Sequence, residues 1–210
     1  ISERTGAKLI DIARNSPESS VGAAYNVDAE RIIAAIQDNT KIVFLCTPNN
    51  PTGNSFSRVE IEYLAAETLK RNVYLFVDEA YIDFSRHSSV IDLVNQYSNL
   101  IVGRTFSKAY ALAGFRVGYA LMSAELKAEY YKIMVPFLVS RASMAAAEAA
   151  LDDSGHLKRV VESALKGRDQ LYKEFIRLKI EHYPSDGNFI LFKTAKPAGE
   201  IIEGLAKQGV

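Results

Sequence analysis

Three short segments place reactive side chains directly after apolar runs. The first is Thr47-Pro48-Asn49-Asn50-Pro51-Thr52-Gly53, where proline and glycine fix a tight turn and Asn50 presents an amide from it. The second is Val77-Asp78-Glu79-Ala80-Tyr81. A carboxylate at the end of the run VYLFV stands where burial begins to cost, so it calls for a metal or a cationic nitrogen as partner. The third is Thr105-Phe106-Ser107-Lys108, with Arg116 eight residues on. Two hydroxyls and a guanidinium suit a phosphate, and an amine between them suits attack on a carbonyl. Taken singly, each segment has a plainer reading: a simple turn, a surface aspartate capping the next turn, and a solvated basic loop.

The elements that must position these residues follow from periodicity. Lys41–Cys46, Val73–Val77, Leu100–Arg104 and Val117–Met122 are apolar runs of strand length, and Lys8–Ala13 is a shorter one. Asp28–Gln37 reads as a helix with Asp28 as N-cap. Ser57–Lys70 reads as another, opened by a capping box from Ser57 to Glu60. Strand and helix in alternation predict an α/β fold with a mainly parallel sheet and helices on both faces. Ligands on such sheets sit at the carboxyl ends of the strands, where all three segments fall. Beyond Ser123 the pattern turns helical, over Ala124–Met134 and Ala142–Asp152. Gly155–Leu178 forms one long helix of about 36 Å at 1.5 Å per residue. Phe189–Lys193 reads as a strand and Pro197–Gln208 as a helix.

Composition narrows the class. Lys+Arg and Asp+Glu are both 25 in 210 residues, so no electrostatic footprint points to nucleic acid or an anionic membrane. No apolar run approaches the roughly 20 residues of a membrane span. The one cysteine, Cys46, excludes an intrachain disulfide and fits a reducing, cytoplasmic setting; its apolar strand suggests a packing role. His87, His156 and His182 are scattered in polar surroundings and suggest no metal site. No P-loop or dinucleotide fingerprint is present. A start at Ile1 and an end at Val210, straight after a helix, lead us to expect a piece of a longer protein.

Together and in this order, CTPNNPTG, VDEAYIDF and GRTFSKAYALAGFRVGYA resemble the signatures of fold-type-I pyridoxal-phosphate-dependent aminotransferases, nearest to the histidinol-phosphate aminotransferase group. The resemblance runs from about Thr5 to the end and includes PFLVSR and PSDGNFILF. It implies a pyridoxal-phosphate-binding large domain over residues 1–153, incomplete at its N-terminus. Residues 154–210 would supply a connecting helix and part of a small α+β C-terminal domain. It further implies that Lys108 forms the Schiff base and shuttles a proton, and that Asp78 pairs with the pyridine nitrogen. Asn50 and Tyr81 would bond the cofactor's O3′, and Thr105, Ser107 and Arg116 would hold its 5′-phosphate. The implied partners are an amino acid or phosphorylated amine, a 2-oxo acid, and a second subunit in a homodimer.

The family's remaining phosphate contacts, its ring-stacking aromatic and its substrate-carboxylate arginine should lie outside residues 1–210. This chain by itself is therefore not expected to be competent. Leu138 stands where the family has asparagine. The expected reaction is amino transfer between histidinol phosphate and 2-oxoglutarate. An aromatic aminotransferase, a threonine-phosphate decarboxylase and a non-catalytic cofactor-binding domain are the alternatives.

Overall fold

The computed structural model describes residues 6–15 and 25–210. Four strands form one sheet in chain order: β1 (Ile42–Cys46), β2 (Tyr74–Asp78), β3 (Leu100–Thr105) and β4 (Gly118–Leu121). β1, β2 and β3 run parallel, and β4 returns antiparallel on β3. The expected mainly parallel sheet is thus present, with one reversed edge strand. Periodicity fixes strand character but not direction, and the connection over residues 106–117 holds only the short helical turn Ala113–Phe115, with no helix to carry a parallel crossover.

Helix α1 (Ala29–Ala34) is shorter than the predicted 28–37, and the Asp28 side chain makes no capping bond. Helix α2 (Arg58–Lys70) begins as predicted. Ser57 Oγ accepts from the Glu60 N–H at 3.3 Å, and Glu60 Oε2 accepts from the Ser57 N–H at 2.7 Å. The buried face of α2, with Ile61, Leu64 and Ala65, packs on Leu45, Leu75, Val77, Leu100 and Val102 from the sheet. Leu64, Leu75 and Leu100 are wholly inaccessible, so this layer is the rigid floor from which the strand ends project. The opposite sheet face carries Phe44 and Phe76, with ring centroids 5.5 Å apart.

The C-terminal half is helical: α3 (Ala124–Ile133), α4 (Arg141–Asp152), the 24-residue α5 (Ser154–Arg177) and α6 (Ala198–Ala206). Each lies within three residues of its predicted bounds. Two strand expectations fail. Lys8–Ala13 has no regular structure; Leu9 is 63% exposed, and among the described residues no strand pairs with this segment. Phe189–Lys193 contributes only an isolated bridge between His182 and Phe192. The first run has no ladder partner among the described residues; the second has one in residues 181–183, but the pairing stops at a single bridge. Among the described residues no helix is long and apolar enough to cross a membrane.

Candidate active site

Parallel register brings Cys46, Asp78 and Gly103 into one row across the carboxyl ends of β1, β2 and β3. The ladder continues one residue further, with the Thr47 N–H on the Asp78 carbonyl at 3.0 Å and the Glu79 N–H on the Gly103 carbonyl at 2.9 Å. Asp78 is therefore held by backbone on both sides. A Cβ on Gly103 would lie 2.7 Å from Phe76 Cζ, so glycine there lets the Phe76 ring pack beneath the row. Asp78 Oδ1 accepts from the Ala80 N–H at 2.9 Å, and Oδ2 lies 4.0 Å from Cys46 Sγ. Among the described residues no basic side chain forms an ion pair with it. Cys46 itself is exposed at this edge, not packed in the core as its apolar run suggests.

Three of the predicted residues meet around Tyr81, three residues after Asp78 in the chain. Asn50 Nδ2 donates to Tyr81 Oη at 3.1 Å, and Lys108 Nζ stands 5.1 Å from the centroid of the Tyr81 ring. With its oxygen lone pair engaged by Asn50, the Tyr81 hydroxyl proton is left to point at a ligand. The Asn50 loop is closed by bonds from the Asn49 N–H to the Asn54 carbonyl and from the Gly53 N–H to the Asn49 carbonyl, at 2.9 and 2.7 Å. Lys108 is exposed in a turn closed by the Ala111 N–H on its carbonyl at 3.0 Å.

The expected phosphate set is only partly assembled. Thr105 Oγ1 accepts from the Ser107 N–H at 3.0 Å, which joins these two at the end of β3. Arg116 sits across the β3–β4 connection in a left-handed conformation, φ 51°, and its Nη1 donates to the Ala113 carbonyl at 2.9 Å. It makes no bond to Thr105 or Ser107. Leu138 is exposed on the segment joining α3 to α4.

Two neighbours of the site went unpredicted. Glu79, next to Asp78, is buried, and accepts from Ser89 Oγ at 2.5 Å and the Val90 N–H at 2.8 Å; Arg104 Nε lies 3.8 Å away. Burial pushes its carboxyl above the usual range, against these bonds and the Arg104 charge. The segment Ser185–Phe189 packs on the Asn50 loop and on Tyr81, with Phe189 edge-on to the Tyr81 ring at 5.0 Å. PSDGNFILF marks this segment in the sequence, but nothing there signals its contact.

The chain is similar to proteins of known family and fold. The family model for aminotransferase class I and II matches residues 2–210. The histidinol-phosphate aminotransferase of Methanococcoides burtonii is 42% identical over 187 residues, covering 89% of this chain and 50% of that protein. A solved chain from Erwinia carotovora atroseptica superposes with a TM-score of 0.86 at 29% identity, covering 98% of this chain and 59% of that one. The histidinol-phosphate aminotransferase of Sinorhizobium meliloti, solved in complex with pyridoxal-5′-phosphate, gives a TM-score of 0.75 at 30% identity, covering 92% and 51%. The chain spans about half the length of the curated relatives it matches.

Proposed function

Because the chain belongs to the family of class I and II aminotransferases, we propose that its whole protein moves an amino group between a small amine and a 2-oxo acid with pyridoxal phosphate, the pair being histidinol phosphate and 2-oxoglutarate. The observation that supports this most directly is Asp78 at the carboxyl end of the central parallel strand β2, with Asn50 and Lys108 both engaging Tyr81 just after it.

These residues fit the cofactor chemically. Asp78 offers a carboxylate oxygen without a basic partner among the described residues, suited to a protonated ring nitrogen. The Asn50–Tyr81 pair offers donors to a phenolic oxygen. Thr105 and Ser107 offer hydroxyls to a phosphate, and Arg116 reaches the same dianion if its side chain leaves the Ala113 carbonyl. Bound pyridoxal phosphate supplies the electron sink that makes a substrate's α-proton removable. Asp78 would pair with the ring nitrogen and favour its protonated form. Lys108 would hold the cofactor through its Nζ, and the same amine would carry the proton that moves during transfer. The protein acts as a homodimer in the cytoplasm.

The test is made on the full-length protein. Added pyridoxal phosphate should give a visible band that Lys108→Ala abolishes. Turnover should be faster with histidinol phosphate than with phenylalanine, and threonine phosphate should not be decarboxylated. A band that survives Lys108→Ala would remove Lys108 from its role. A band without histidinol-phosphate turnover would leave the cofactor site and refute the substrate.

A further inference from the structure

Phe189 arrives at the site through contacts far apart in sequence. The Asp186 N–H donates to the Gly53 carbonyl at 2.7 Å, and the Ser185 N–H to Tyr172 Oη at 2.7 Å. Arg168 Nη1, from the middle of α5, donates to the carbonyl of Gly187 at 2.9 Å and to that of Phe84 at 3.4 Å. One guanidinium thus ties the segment to the short helical turn Ile82–Phe84 that follows Tyr81. A Cβ on Gly187 would stand 2.6 Å from Phe189 Cε1, so glycine leaves room for the ring. The ring that results stands at 82° to Tyr81, centroids 5.0 Å apart. Lys108 Nζ and Asn50 Nδ2 engage the same tyrosine, over its ring and at its hydroxyl.

We propose that Phe189 is a positioning residue: its edge contact holds the Tyr81 ring so that the hydroxyl meets the cofactor's phenolic oxygen. This rests on the cofactor reading above. Tyrosine turns about two side-chain bonds, and Asn50 constrains only the far end. Without Phe189 the ring is free to swing on that side, and the hydroxyl spends less time aimed at its acceptor. A donor to the phenolic oxygen stabilises negative charge there, and that charge is greatest when the lysine-bound cofactor has lost its imine proton. A weakened donor therefore raises the pH at which the visible band changes.

The experiment titrates that band in the full-length holoprotein for wild type, Phe189→Leu, Tyr81→Phe and the double variant. Phe189→Leu should raise the midpoint by about half a pH unit, the size expected of one aromatic pair. Tyr81→Phe should raise it further, and the double variant should match Tyr81→Phe. An unmoved midpoint in Phe189→Leu, or its full shift persisting on the Tyr81→Phe background, overturns the proposal. If Phe189→Leu does not fold, Arg168→Gln, which keeps the Phe189 side chain but loosens the segment that seats it, should shift the midpoint in the same direction; no shift overturns it too. A wild type lacking a Lys108-dependent band would instead refute the cofactor reading, so the two failures are distinct.

Discussion

Replacing Gly53 by alanine probes the joint between the Asn50 loop and the Ser185–Phe189 segment. Gly53 has φ +79°, in the left-handed region, where a Cβ costs about 1–2 kcal/mol. That Cβ would also stand 2.5 Å from Ser185 Oγ, 2.6 Å from its Cβ and 2.8 Å from its Cα. Rotating the serine side chain relieves the first clash only, so the backbone at residue 185 must move. The move strains the bonds from the Asp186 N–H to the Gly53 carbonyl and from the Ser185 N–H to Tyr172, both 2.7 Å, each worth about 1 kcal/mol. The sum is about 2–4 kcal/mol, a large share of the roughly 5–15 kcal/mol of a typical domain. Urea unfolding followed by circular dichroism should show a lower midpoint with an unchanged slope. Combining Gly53→Ala with Ser185→Gly should recover only part of the loss, because the clash with the main chain of residue 185 remains. A cost below about 0.5 kcal/mol, the range of an ordinary surface change, would refute the idea that this joint is tightly packed.

Two further outcomes test the neighbourhood. Glu79 has its folded pKa raised above the unfolded value of 4.5, so its contribution favours folding below that pH and is lost as pH rises through the folded value. The wild type should therefore lose stability relative to Glu79→Gln as pH rises above 4.5; parallel pH profiles of the two in urea titrations would contradict the assignment. Ser57→Ala removes the capping box of α2 and should cost about 1 kcal/mol by the same unfolding assay.

Much of the frame was legible because single segments determine it. KIVFLC and LIVGR are apolar runs whose length decides for strand over helix, although the face of β1 that carries Phe44, 57% exposed, is left open. Ser57 and Glu60 show the start of α2 because both halves of the capping box lie within one turn. Lys8–Ala13 and Phe189–Lys193 misled for the converse reason. A strand is a property of a pair, and a run rich in strand formers says nothing about whether a neighbour is present or how far it pairs.

The site divides along the same line. Asn50, Asp78, Tyr81 and Lys108 stand directly after apolar runs, and a parallel sheet gathers strand ends, so their convergence follows from local pattern plus one topological rule. Arg168 lies 84 residues from Phe84, and no local pattern marks it as the bridge between that carbonyl and Gly187. Asp78 and Glu79 show the limit most sharply. They are chemically alike and adjacent, yet neighbours on an extended backbone point to opposite sides. One joins the row with Cys46 and Gly103 at the open end of the sheet, and the other turns into the interior toward Ser89, Val90 and Arg104. Which acid faces the ligand depends on which side the remainder of the chain covers. The same backbone step that presents Asp78 commits Glu79 to burial, and Glu79 in turn anchors the loop leaving Tyr81 through its bonds to Ser89 and Val90.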